Sequence, residues 1–209
     1  MVPVRGIASG KSRLGAVLDP AGRARLNKLL LTRTLEVIHR WRGDLARSIV
    51  VSPCREALAT AARLGAATVF ETPDARGLNG AATLGASRAG ENGASSVLIL
   101  PCDLPFLTPE SLDAVTGESE TARHVVIAPD RAGTGTNALV VSAERPFEFR
   151  FGESSFARHL SLAAERGWTA AICSRPELAF DLDTPEDLAV WDEARAGENR
   201  GGARETPVI

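Results

Sequence analysis

The sequence predicts an α/β fold: one mostly parallel sheet with helices on both faces. Three observations carry this. Short apolar, β-branched runs alternate with helix-patterned segments along nearly the whole chain, helix start and stop signals fall at the joins, and 209 residues are enough for an ample core. The strand-like runs are "SIVVS" (48–52), "AATVF" (66–70), "SVLIL" (96–100), "HVVIA" (124–128) and "ALVVS" (138–142), preceded by a short one at Val2 to Val4. Helical patterns fill 21–41, 55–65, 78–90, 109–117, 153–167 and 185–197. Pro20, Pro109 and Pro185 occupy first-turn positions behind the N-caps Asp19, Thr108 and Thr184, and Gly65, Gly117 and Gly167 close their helices. The polar, glycine-rich stretch 197–209 reads as a disordered tail, which leaves a single domain over 1–196.

Composition narrows the function classes. With 44% hydrophobic and 24% charged residues and a net charge of −2, the chain lacks the basic excess of a nucleic-acid surface. No apolar run approaches the roughly 20 residues of a membrane span, and the start has no signal-peptide pattern. Cys54, Cys102 and Cys173 are odd in number and far apart, which suits reduced thiols and a cytoplasmic setting rather than a disulfide framework or zinc site.

The opening stretch "VPVRGIASGKSRLG" runs from a strand into a cationic, glycine-containing loop. Its spacing speaks against a Walker A loop and the P-loop kinase, the third rival reading, that such a loop would imply. That motif needs four residues between its first glycine and the Gly-Lys pair, and Gly6 and Gly10 bracket only three. What remains is a loop after the first strand carrying Arg5, Lys11 and Arg13, at the sheet end where open α/β folds bind ligands. Cations and backbone amides there suit a triphosphate, although surface Lys and Arg are usually only solvated.

Five further stretches carry chemistry. In "VLILPCDLPFLTPESL" (97–112) an apolar strand ends at Asp103 between two prolines. A carboxylate there needs a cation, and magnesium shared with phosphates is one; capping a turn is the other reading. "APDRAGTGTNALVVS" (128–142) sets Gly133 and Gly135 among Thr134 and Thr136, before Asn137. It suits either a hairpin or a close-approach ligand loop. "FRFGESSFARHL" (149–160) puts Gly152 and Ser154 or Ser155 at a helix N-terminus, which favours anions and also needs a cap. In "AFDLDTPEDL" (179–188), Asp181 and Asp183 alternate, so on a strand they would share one face with a cation between them. "ETPDARGLNGAA" (71–82) leads through Gly77, Leu78 and Asn79 into a helix, and could read a base edge.

Together and in this order the six stretches resemble the guanylyltransferases that make coenzyme F420 precursors, relatives of the molybdenum-cofactor guanylyltransferases. The most specific pieces are "KSRL", "GLN", "DLP", "PDRAGTGTNAL", "FGESSFARHL" and "DLDTPEDL", and the match spans roughly residues 2 to 192. The resemblance implies a Rossmann-like nucleotidyltransferase fold. It also implies transfer of GMP from GTP to 2-phospho-L-lactate, phosphoenolpyruvate or 3-phospho-D-glycerate, with release of pyrophosphate. By position, Lys11 and Arg13 look like the triphosphate cradle, and Gly77, Leu78 and Asn79 look like the guanine contact. Asp103 looks like the principal Mg2+ ligand, with Asp183 second and Asp181 beside it. Thr136, Gly152 and Ser155, with the adjacent Asn137, look like acceptor contacts. The family often has Lys where this chain has Arg5, and Cys102 stands where another small residue is usual.

These residues suit an attack by the acceptor's own phosphate, largely ionised near neutrality because its second pKa is about 6. No general base is required; His39, His124 and His159 are isolated, and His159 is expected to pack behind the acceptor loop. Rival readings are a molybdopterin guanylyl- or cytidylyltransferase, whose glycine-rich opening loop is missing here, and a catalytically idle nucleotide-binding module. Oligomeric state is open between a monomer and a homodimer.

Overall fold

In the computed structural model, residues 1–8, 10–117 and 124–201 are described. The elements follow in the order β1 (Val2–Pro3), α1 (Pro20–Arg42), β2 (Ile49–Ser52), α2 (Arg55–Arg63), β3 (Ala67–Phe70) and α3 (Gly77–Glu91). Then come β4 (Ser96–Ile99), α4 (Pro109–Gly117), β5 (His124–Pro129), β6 (Thr136–Ser142), α5 (Ser155–Glu165), β7 (Thr169–Ile172), α6 (Pro176–Ala179) and α7 (Pro185–Gly201).

β1, β2 and β3 pair in parallel, with Val2 opposite Val50 and Val51 opposite Val69. β5 pairs in parallel with β7, whereas β6 lies antiparallel to both β4 and β5. Met1 stitches the two groups together. Its amine donates to the Leu98 carbonyl at 2.7 Å and its own carbonyl accepts from Leu100 N–H at 3.0 Å, a parallel pattern. The sheet therefore runs β3-β2-β1-β4-β6-β5-β7. Parallel pairing prevails as predicted, and β6 is the exception. Only six residues separate β5 from β6, too few for the helical crossover that a parallel neighbour requires.

Alternation along the strands fills both faces. Val50, Leu100, Val126, Ala128, Ala138 and Val140 pack with Leu31 and Leu35 of α1, Ala57 of α2, Leu112 of α4 and Leu178 of α6. Ile49, Val51, Val97, Ile99, Val125, Ile127, Leu139 and Val141 point the other way, onto Ala81 and Ala82 of α3 and Leu162 and Ala163 of α5. This period-two partition explains why the strands read as continuous apolar runs.

The predicted caps hold. Asp19 accepts the Gly22 N–H, and Thr108 and Ser111 exchange side-chain-to-backbone bonds at 3.1 and 3.2 Å. Two elements escaped the sequence reading. β7 is an exposed edge strand of sequence "TAAI", and α6 is a single turn. One boundary needs correcting: α7 continues to Gly201, so residues 197–201 are helical rather than tail, because "ARAGENR" keeps good helix formers around its one glycine. The remainder of the expected tail, 202–209, lies outside the described residues.

Candidate active site

The strand order gathers the chemistry at one rim. The carboxyl ends of β1, β2, β3 and β4 open there into a cavity of about 920 Å³. Lys11, Arg13, Gly77, Leu78, Asp103 and Asp183 all line it, so residues from four separate stretches meet as the sequence predicted. Arg5, also in the opening loop, joins them.

A small apolar cluster sets the side of the cavity that carries Lys11 and Asp183. Leu14, Leu26, Leu30, Leu182 and Trp191 pack together, with Phe106 and Phe180 against them. Leu14 and Leu182 are both fully buried. Burying each is worth about 2 kcal/mol, and each fixes a polar neighbour: Lys11 lies three residues before Leu14, and Asp183 directly follows Leu182. The chain does not continue into an α-helix after Lys11 but into a short 3-10 turn, Ser12–Ala16, with Lys11 itself left-handed at φ 51°. Asn27 of α1 holds the loop by donating to the Ile7 carbonyl at 2.8 Å.

Lys11 Nζ lies 3.6 Å from Asp103 Oδ2 and 3.4 Å from Asp183 Oδ1, and it donates to the Leu182 carbonyl. Its side chain is 8% exposed against 34% and 43% for the two aspartates, so the cation is the embedded partner and the carboxylates face outward. Leu182 N–H in turn donates to the Asp103 carbonyl at 2.9 Å, tying the two acidic loops together. Cys102, beside Asp103, has its thiol pushed up to about 12 by burial and then by the Asp103 charge, so it stays a protonated packing group.

Asp181 and Asp183 do not lie on a strand; residues 180–183 are irregular. The alternation comes instead from a loop wrapped over Leu182. Asp183 reaches Lys11 and lines the cavity, whereas Asp181 does neither. Burial, and then the charges of Asp103 and Asp183, raise its carboxyl toward the neutral form. Among the described residues, no cluster of three or more His, Cys, Asp or Glu side chains is close enough to hold a metal.

The loop is fixed by Asp187, which the sequence reading passed over. Its Oδ2 accepts from the Asp183 and Thr184 N–H groups at 2.9 and 2.8 Å, and its Oδ1 from Arg131 at 2.7 Å. Thr184 Oγ1 returns a bond from Asp187 N–H at 3.3 Å. This is a capping box, legible in Thr184-Pro-Glu-Asp187. Burial opposes ionisation of Asp187, but these donors outweigh it and bring its pKa to about 2.

On the opposite wall, Gly77 (φ 85°) begins α3, and its N–H donates to Glu71 Oε1 at 2.7 Å. Gly80 permits the tight turn, since a Cβ there would stand 2.2 Å from the Ala75 carbonyl oxygen. Glu71 also lines the cavity and was missed, although it follows β3 much as Asp103 follows β4. Asn79 sits elsewhere: its amide donates to the Phe151 carbonyl at 3.2 Å and accepts the Phe151 N–H at 2.7 Å, tying α3 to the segment before α5.

The remaining candidates gather beside the cavity rather than in it. Thr136 Oγ1 lies 3.1 Å from His159 Nδ1, while His159 Nε2 accepts the Arg150 N–H at 3.0 Å. The second bond places the proton on Nδ1, so a neutral imidazole donates to Thr136. Burial, then Arg158 and Arg150, lower its pKa to about 4. Gly152 (φ 116°) and the buried Ser155 form the approach to α5, where Ser155 N–H meets the Gly152 carbonyl at 3.1 Å and Phe156 N–H meets Thr134 O at 3.1 Å. The hairpin accounts for its own donors: Asp130 accepts from Thr134 N–H at 2.8 Å, and a Cβ on Gly135 would lie 2.6 Å from Asp130 Oδ2 and force that carboxylate to shift. Asn137 donates to the Leu178 and Ala179 carbonyls at 3.0 and 3.1 Å, anchoring α6. Arg131 joins the hairpin to the acidic loop through Asp187.

The fold has the architecture of nucleotidyltransferases. A nucleotidyl transferase from Methanothermobacter thermautotroptrophicus superposes with a TM-score of 0.65 at 18% identity, covering 93% of this chain and 98% of its own. That likeness gives the fold of the chain. The family model described as "Guanylyl transferase CofC like" matches residues 1–191, and the chain belongs to that family. Similar curated proteins include the phosphoenolpyruvate guanylyltransferase of Rubrobacter xylanophilus, 46% identical over 192 residues and covering 90% of both chains. The 3-phospho-D-glycerate guanylyltransferase of Phenylobacterium zucineum is 37% identical over 189 residues, 90% of this chain and 86% of its own. No helix among the described residues is long and apolar enough to cross a membrane.

Proposed function

We propose that this enzyme transfers GMP from GTP to the phosphate of a three-carbon acid, releasing pyrophosphate, as a cytoplasmic step of coenzyme F420 biosynthesis. Phosphoenolpyruvate is the acceptor we favour, because the 46% identical relative bears that name. The observation that carries the reading is the convergence of Lys11, Asp103 and Asp183 at one side of a cavity large enough for a nucleotide.

Asp103 and Asp183 fit a magnesium ion. Their oxygens already share one cation, and magnesium commonly takes one or two carboxylates plus substrate phosphates rather than an all-protein cage. Asp181, more readily protonated, is the weakest of the three candidates. When bound, the ion would supply neutralisation of phosphate charge. Lys11 and Arg13 would hold the triphosphate, while Gly77 and Leu78 would flank the nucleoside. Thr136, Gly152 and Ser155 would orient the acceptor phosphate, whose ionised oxygen attacks the α-phosphorus of GTP as the bond to the bridging oxygen of pyrophosphate breaks. His159 is neutral and fully engaged, which suits a mechanism without a general base. Positioning and charge compensation then carry the rate.

The test is pyrophosphate release from GTP and magnesium with each of the three acids, against ATP and CTP. Release that needs GTP and one acid together is the expected result. Equal turnover of ATP or CTP, or release independent of every acid, would overturn it.

A further inference from the structure

Glu71 is 8% exposed, follows the last residue of β3 and lines the cavity. Its backbone N–H is bound to the Ser52 carbonyl at 3.0 Å, and its Oε1 accepts from Gly77 N–H at 2.7 Å. Among the described residues it enters no ion pair. With Oε1 committed to Gly77, Oε2 has no hydrogen-bond donor among the described residues. Anchoring one glycine needs a single acceptor, which a glutamine would supply without a charge. A largely buried carboxylate lacking a cation is costly unless donors arrive with the ligand.

The sheet says which part of a ligand arrives there. In the order β3-β2-β1-β4, Glu71 stands three strands from Asp103, roughly 14 Å at ordinary strand spacing. A nucleotide whose phosphates lie at Lys11 and Asp103 would extend its base toward β3, where Leu78 and Ala81 offer apolar surface to the ring. Guanine alone among the common bases presents two adjacent donors, N1–H and the exocyclic amine, which a carboxylate accepts together. We infer that Glu71 selects guanine by accepting these donors at the β3 end of the cavity. This rests on the proposed use of GTP and assigns its base specificity to a residue outside the Gly77–Asn79 segment.

The experiment compares the full chain with Glu71→Gln, which keeps the length and the acceptor for Gly77. Binding by thermal shift and kcat/KM by pyrophosphate release are measured with GTP, ITP (no exocyclic amine) and XTP (a carbonyl in its place). The wild type is expected to rank GTP over ITP by about tenfold and over XTP by about a hundredfold, since a carboxylate repels the xanthine carbonyl. Glu71→Gln should lose about tenfold or more with GTP and gain relative to it with XTP, whose carbonyl its amide can meet. A role confined to holding Gly77 would lower all three equally and leave the ranking intact, which would overturn the inference. The wild-type ranking needs no variant: XTP accepted as well as ITP overturns it too, as does a failure to bind GTP. Guanine selection in binding that Gln erases, without pyrophosphate release, would leave Glu71 standing and sink only the transfer reaction.

Discussion

Lys11 shows how one side chain organises a polar centre. Its ammonium compensates two carboxylates that would otherwise repel each other, and its stem is buried beside a leucine cluster that cannot shift cheaply. Asp103 supplies one of those carboxylates from a partly exposed position, so neutralising it should disturb the fold little. Asp103→Asn is expected to lower kcat by about a hundredfold or more while the melting temperature stays close to wild type. A magnesium-independent, fully active variant would remove the ion from Asp103. His159 makes the opposite trade, contributing to the fold through its neutral form. Its folded pKa of about 4 lies below the ordinary 6.5, so the unfolded chain binds the extra proton first. The associated stability is complete above about pH 6.5 and drains away as the pH falls toward 4. Protonation would also set a new N–H on Nε2 against the Arg150 N–H. Urea denaturation at pH 7.5 and 4.5 should show a smaller acid loss in His159→Asn than in wild type, and identical losses would mean that the imidazole is not the titrating group.

At the scale of elements, the junction before α7 joins the site to the scaffold. Asp187 collects donors from Asp183, Thr184 and Arg131, so one carboxylate fixes the acidic loop, starts a helix and ties down the hairpin. Asp187→Ala should destabilise the protein by about 1–3 kcal/mol, the range for losing a cap together with a charged hydrogen bond. It should also raise the magnesium requirement, because Asp183 loses its fixed backbone; denaturant titration and a magnesium activation curve read the two effects separately. Such junctions were partly legible. Thr184 and Thr108 announced their helices through short-range chemistry, and Asp187 was readable as the fourth member of a capping box. Asn79 was not, because its partners on Phe151 lie 72 positions away and no local pattern signals them. β7 escaped because "TAAI" holds two alanines and a single large apolar residue, too weak a β pattern to stand out, whereas the equally exposed "ATVF" of β3 carries Val and Phe.

Across the whole molecule, the sheet, its helical cover and the rim where the candidate residues meet were readable because each follows from periodicity and from the habits of open α/β sheets. The meeting of "KSRL", "DLP" and "DLDTPEDL" was likewise anticipated, since strand-tip acids and a cationic loop need each other. What pattern could not give was the split between cavity-lining and supporting residues. Thr136, Asn137 and Asn79 are polar for reasons of internal bonding as much as any ligand, and only three-dimensional partners tell these apart. A ligand that spans the rim should stabilise the protein globally. GTP with magnesium at a hundred times its dissociation constant is expected to add about 2.7 kcal/mol, read as a higher melting temperature, with ATP adding much less.

The reversal of β6 gives this architecture a place to vary. Because that strand starts where its neighbours finish, the tip at residues 130–135 is a largely exposed parapet, tied to the scaffold by Arg131, which bonds Asp187 and stacks on Phe180, and by Thr134, whose carbonyl accepts the Phe156 N–H. Ala132 carries none of these ties and can change without asking any buried layer to repack. The economical place to vary this tip is therefore Ala132 and insertions beside it, because Asp130, Arg131, Thr134 and Gly135 hold its shape.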